Sequence, residues 1–264
     1  MPISITKPNE IAFIKGLIFG PNGRGKTTFC GSAQLDPRTS PSLIIDFRGN
    51  VEVLSGLNID VVKVGSIREF RGIHAFLTKE NASQKNPYRS VSIDSLSEVS
   101  TQALFNEMDR RVALAGEKPE ISKGRVDLPD QAQLQDYGAI LIQQLRLLKL
   151  FYDIPIHTFY TAFDFVEAEP GEGMVKKPAM EGQMRNRAGG LMTVVGYLAL
   201  DTEKKDEKGE PLRVLQLRDI PLVRVKARTS WGGKEAIPRI LENPTVTRLM
   251  DVCFPTVEKM KGAA

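Results

Sequence analysis

The chain has 264 residues, of which 41% are apolar and 26% charged, with a formal net charge of +4. That length supports a proper core in one large domain or two small ones, and the charge permits a nucleic-acid partner without demanding one. The longest apolar-rich run, "LMTVVGYLAL", falls short of the roughly 20 residues a membrane helix needs, which argues against a membrane-spanning protein.

Cys30 and Cys253 lie far apart with no C-x-x-C pairing, a pattern of a reducing compartment rather than of a disulfide scaffold or a zinc site. The opening "MPISITKPNE" lacks the apolar core of a signal peptide. Both features lead us to expect a soluble, cytoplasmic protein.

In chain order, "AFIKGLIFG" reads as a buried strand and "KTTFCGSAQL" as the start of a helix. Between them, Gly20, Pro21, Asn22, Gly23, Arg24, Gly25, Lys26, Thr27 and Thr28 carry G-x-x-x-x-G-K-[ST]. Glycines there let backbone N–H groups curl around phosphate oxygens, and the helix start adds partial positive charge. Lys26 is expected to reach the β- and γ-phosphates of ATP, and the Thr27 hydroxyl to ligate Mg²⁺. Arg24 either touches phosphate or faces solvent.

Downstream, "PSLIIDFRGN" (41–50) and "YRSVSIDSLSEV" (88–99) read as the next strands, and "IPIHTFYTAF" (154–163) as a fourth. Asp94 falls at a strand end, where a carboxylate can hold the water shell of Mg²⁺; it also suits a helix N-cap. Thr161 ends the fourth strand, either as a γ-phosphate sensor or as an ordinary strand-end threonine. Helices are expected over 67–81, 96–116 and 136–153, with a polar loop over 117–133. This alternation implies an α/β fold with a mostly parallel central sheet flanked by helices. Residues 163–190 read as a long loop rich in Gly, Pro and charge. Then "LMTVVGYLALDTEK" and "PLRVLQLRDIPLVRVKARTS" read as strands around the turn "KKDEKGEP", an antiparallel extension, and "NPTVTRLMDVCFPTVEKM" as a closing helix.

Laid out this way, the chain resembles the RecA/RadA-like P-loop ATPase core, and within it the short phage-encoded ATPases that act with single-strand DNA annealing. The P-loop at 20–28 carries most of the resemblance. "LIIDF" (43–47), "SIDS" (92–95), "LQDYG" (134–138) and "LVRVKARTSW" (222–231) follow in the family's order, spanning residues 12–242. The resemblance implies a RecA-like P-loop NTPase fold in a single domain over 1–264, with an N-terminal tail (1–11) and a C-terminal helical tail (243–264). It implies Mg²⁺-ATP bound by Lys26, Thr27 and Asp94 at the interfaces of a homo-oligomer. Lys226 and Arg228 would act in trans on the neighbouring subunit's γ-phosphate. Lys176, Lys177, Arg185 and Arg187 would meet the backbone of single-stranded DNA. A single-strand DNA-binding protein belongs among the implied partners, and the host cytoplasm is the implied location.

One position departs from that family. Its Asp-x-Glu supplies the carboxylate that orients the attacking water, and here Arg48 stands in the third place. Arginine cannot accept a proton. Either Asp46 or Glu52 takes the role, or hydrolysis is slow. Two other classes stay open: a nucleotide-gated loader or interaction protein, and a P-loop small-molecule kinase.

Overall fold

A computed structural model of the chain describes residues 13–47, 49, 51–83, 86–115, 121–122, 125–126, 132, 134–220, 222–227 and 237–254. Arg48, Arg228, Trp231 and the N-terminal tail (1–11) lie outside the described residues.

The core strands are β1 (Lys15–Phe19), β2 (Ser42–Asp46), β3 (Asp60–Lys63), β4 (Ser90–Asp94), β7 (His157–Ala162) and β10 (Val194–Lys205). All six run parallel in the order β10-β1-β7-β4-β2-β3. Antiparallel strands β11 (Pro211–Gln216) and β13 (Ile240–Glu242) extend the sheet beyond β10, and β12 (Lys226–Ala227) also pairs β10. Short strands β5 (Ile121–Ser122) and β6 (Arg125–Val126) pair with each other away from this sheet. The expected mostly parallel sheet with an antiparallel extension is what the chain forms.

Uninterrupted apolar strands need cover on both faces, and period-two alternation divides their residues between two cores. In β1, Leu17 and Phe19 join one cluster while Ile18 joins the other. In β2, Leu43 and Ile45 face the first and Ile44 the second. The first face is covered by α2 (Ile67–Ser83), α3 (Leu96–Ala115), α4 (Leu134–Tyr152) and α5 (Met184–Leu191). The buried side chains of α4, Ile140, Leu147, Leu148 and Phe151, recur at helical spacing. Each such burial is worth roughly 1.5–3 kcal/mol. Phe151 stacks on Phe70 of α2 at 4.5 Å. The second face is covered by α1 (Lys26–Gly31) and α6 (Val246–Cys253), which buries Val246, Leu249, Met250 and Cys253.

Polar groups pin the ends of these elements. Lys15 Nζ donates to the carbonyls of Phe151 (3.2 Å), Ile154 (2.7 Å) and Ile156 (2.9 Å) and to Thr158 Oγ1 (3.0 Å), fastening the end of α4 to β1. Thr245 caps α6 by accepting from the Arg248 N–H at 3.2 Å. No helix among the described residues is long and apolar enough to cross a membrane.

Two expectations change. Residues 163–190 are not one loop: they form a hairpin of β8 (Asp164–Glu169) and β9 (Gly173–Pro178), followed by α5. The physical reason is local. Glycines 171 and 173 adopt positive φ at the turn, and Val175 is buried on one face of the ribbon. Among the described residues of the second predicted strand segment, β11 ends at Gln216, and the chain re-enters the sheet only at β12. The edge strand β3 gave no usable pattern, since Asp60 to Lys63 are mostly exposed.

Candidate nucleotide site

β1 ends at Phe19, and Lys26 opens α1, so the glycine-rich segment 20–25 turns the chain at the carboxyl end of the sheet. Two glycines there are sterically required. A Cβ on Gly20 would lie 2.2 Å from the Leu198 carbonyl oxygen of β10. Gly25, the residue before α1, has φ +89°, a left-handed conformation that favours glycine. The loop is thus seated directly against the strand beside it.

Lys26 is buried, and its ammonium donates to the carbonyls of Gly20 and Pro21, both at 2.8 Å. It also lies 4.8 Å from the centre of the Phe163 ring, a cation–π distance. Thr27 Oγ1 donates to Asp94 Oδ2 at 2.6 Å, and Thr161 Oγ1 donates to Asp94 Oδ1 at 2.5 Å. The P-loop hydroxyl and the ends of β4 and β7 therefore converge on one buried carboxylate. Asp94 is not the cap of α3: the Glu98 N–H meets Ser95 Oγ instead, at 3.4 Å. Ser95 takes the helix end and leaves both Asp94 oxygens to the site.

Asp46 is the register partner of Asp94 across β2 and β4 and is equally buried. Its Oδ2 accepts from the Gly49 N–H at 2.8 Å. Glu52, the other carboxylate considered for water activation, is exposed in a 3-10 turn over Glu52–Leu54. The donor set suits a hard cation such as Mg²⁺: a hydroxyl and a carboxylate in contact, with a second carboxylate on the adjacent strand. Among the described residues no group of three or more His, Cys, Asp or Glu could hold a metal by itself. Thr27 and Asp94 are the residues that would hold Mg²⁺ here.

Ser97 links this site to the hairpin. Its Oγ donates to the Ala179 carbonyl at 2.7 Å and accepts from the Phe163 N–H at 3.0 Å. Phe163, on the ammonium of Lys26, thus directly precedes β8.

The four cations expected to meet DNA fall in the hairpin and α5. Lys177 does not face outward, and that expectation is corrected. It is 6% exposed, ion-paired with Glu167 (2.9 Å) and Glu169 (2.5 Å), and donates to Asn186 at 2.9 Å. Burial pulls its ammonium pKa down, but the bonds to Glu169 and Glu167 prevail and leave it raised. The same bonds from Lys177 hold the Glu167 and Glu169 carboxyls below the usual range. Arg185 bonds Glu167 at 3.2 Å and lies over the Phe165 ring at 3.8 Å. Lys176 donates to the Tyr197 hydroxyl at 2.9 Å. Arg187 is exposed, bonded to Gln183 one helical turn away. Lys226 donates to the carbonyls of Gly189 (2.9 Å) and Gly190 (3.4 Å) at the end of α5, a favourable place for a cation.

Over residues 12–229, most of its length, the chain matches the family described as AAA domain. Among solved structures, it aligns with a prototypical ATPase from the type III secretion system of pathogenic bacteria at a TM-score of 0.43 and 15% identity. That alignment covers 70% of this chain and 50% of the other, so the chain spans half the length of that protein. No curated protein matches the chain.

Proposed function

The chain belongs to the AAA domain family of P-loop ATPases, and from that premise we propose that it is a Mg²⁺-ATP-dependent, RecA-like ATPase acting on single-stranded DNA in phage recombination or replication. The observation that carries the nucleotide part is the convergence of Thr27 and Thr161 on Asp94 beside the P-loop lysine. Lys26 and the loop N–H groups bind the phosphates. Thr27 and Asp94 would hold Mg²⁺, which would supply neutralising charge at the phosphates. Asp46, on the strand next to Asp94, is the carboxylate we assign to orienting the attacking water in place of the residue replaced by Arg48.

The DNA part rests on the hairpin's attachment to the site through Phe163 and Ser97, with Lys176 and Arg187 as the backbone-contacting cations. Arg185 is turned toward Glu167 and contributes less. Binding in this mode falls with salt and shows little sequence preference. We assign the trans role at a subunit interface to Lys226, and with it Arg228.

A specific observation favours a second reading, a nucleotide-gated loader or interaction protein. Glu167 and Glu169 offset Lys177 of the hairpin, and Glu167 also pairs Arg185 of α5, while Phe165, Val166, Met174 and Leu222 are exposed. A neutralised ribbon with apolar side chains suits a protein surface better than a phosphate backbone.

Steady-state ATP hydrolysis with and without single-stranded DNA, using Lys26→Ala as the blank, separates the two. DNA-stimulated turnover is expected. A rate that DNA leaves unchanged moves the assignment to the interaction protein, and a rate equal to the blank's removes the hydrolytic role.

A further inference from the structure

Arg213 lies on β11, in register with Leu200 of β10, on the flank of the sheet nearest the P-loop. Its backbone is fixed on both sides of the strand: the Asn243 N–H donates to its carbonyl at 2.9 Å, and β10 pairs the other edge. Its side chain turns back over the loop. A Cβ placed on Gly25 would lie 3.3 Å from Arg213 Nη1, 3.4 Å from Cζ and 3.4 Å from Nε. Three atoms of one plane at nearly one distance from a point put that point above the plane. The guanidinium therefore packs face-on against Gly25, and a side chain at position 25 would push it away.

The partners of this cation are informative. Arg38, Arg110, Arg185 and Arg224 all have carboxylate partners. Arg213 has neither an ion pair nor a side-chain hydrogen bond among the described residues, and it is exposed. Arginine carries five N–H donors in a planar fork suited to phosphate. Here the fork is carried on a strand, beside the residue that precedes Lys26, with its donors uncommitted among the described residues. A purely structural brace would spend those donors on the protein.

We infer that Arg213 is a nucleotide-contacting residue of the same subunit, whose guanidinium neutralises the polyphosphate chain bound on Gly25–Thr28. This rests on the reading of the P-loop as the nucleotide site. It adds to that site a cation from the antiparallel extension, beyond the parallel core that supplies the others.

The test is calorimetric titration of wild type, Arg213→Gln, Arg213→Lys and Lys26→Ala with Mg²⁺-ATP, inorganic tripolyphosphate and adenosine, alongside melting of the ligand-free proteins. Losing a hydrogen bond to a charged group is expected to weaken ATP and tripolyphosphate binding about 10-fold in Arg213→Gln. Arg213→Lys falls between, because it keeps the charge and loses the fork. Adenosine binding and the ligand-free melting temperature stay at wild-type values. Unchanged ATP affinity in Arg213→Gln, with Lys26→Ala defective, overturns this inference alone. So does a weakening of ATP and adenosine without tripolyphosphate, which assigns the side chain to the base. A drop in ligand-free melting temperature that accounts for the lost affinity makes Arg213 a brace and overturns it too. Equal binding by Lys26→Ala and wild type, or no binding by wild type, removes the site reading itself and this inference with it.

Discussion

Thr27 Oγ1 and Asp94 Oδ2 stand 2.6 Å apart, joining the first turn after the P-loop to the end of β4. The residues are distant in sequence, and the contact exists because β1 and β4 both flank β7 in one parallel sheet. Parallel strands place their carboxyl ends at one edge, where ligands bind in open α/β sheets. The contact makes the first prediction. Asp94→Asn keeps the size and one acceptor but removes the charge that, in the proposed site, would order Mg²⁺ water. Turnover and Mg²⁺ dependence are expected to weaken by about 10–100-fold, measured by ATP hydrolysis across a magnesium titration. A magnesium dependence identical to wild type removes Asp94 from the metal site.

Lys226 offers a double test. Its ammonium holds the last carbonyls of α5, so Lys226→Ala is expected to cost about 0.3–1 kcal/mol of stability, read from urea unfolding. A trans role predicts more. Turnover should fall in the assembled protein, and mixing with Lys26→Ala should change the rate per active site. Mixtures whose rates simply add leave Lys226 with the helix end only.

His157 predicts acid sensitivity. It is buried, and its Nδ1 accepts from the Ile14 N–H at 3.1 Å, which requires the neutral ring. Burial first, and the nearby Lys15 charge second, lower its pKa to about 4 from 6.5. The unfolded chain then binds the proton more readily, so the stability from the neutral ring is present above 6.5 and lost as pH falls toward 4. The loss approaches about 3 kcal/mol at the acid end. His157→Asn keeps a side-chain acceptor without titrating. Its unfolding free energy should be flatter between pH 4 and 6.5, and a slope as steep as wild type assigns the acid loss to other groups.

Gly20→Ala tests how the loop is seated. The added methyl would meet the Leu198 carbonyl oxygen at 2.2 Å, a backbone atom in mid-strand. The β1–β10 pair has to part, and a destabilisation of about 1–3 kcal/mol is expected, measured by thermal or urea unfolding. Gly23→Ala is the control, since nothing lies within 4 Å of its Cβ position while its φ of +73° carries backbone strain of its own. Equal losses for both variants would assign the effect to backbone strain rather than to the contact with β10.

The P-loop, the strand–helix alternation and the helices near 67–81, 96–116 and 136–153 were legible in the residues alone, because each rests on local chemistry. A glycine pattern dictates a turn, and apolar periodicity dictates which face is buried. Asp94 was legible as a strand-end carboxylate but not as the acceptor of two threonines, since that depends on which strands become neighbours. The hairpin over 164–178 was not legible, because its charged residues find their partners only in the folded chain and look, in one dimension, like a solvated loop. Lys177 shows the physical reason: an ammonium can be buried when Glu167 and Glu169 offset the cost of removing it from water. Arg213 left no local signal at all. Its place over Gly25 follows from the antiparallel return of β11 beside β10, a pairing set by long-range packing rather than by local residues.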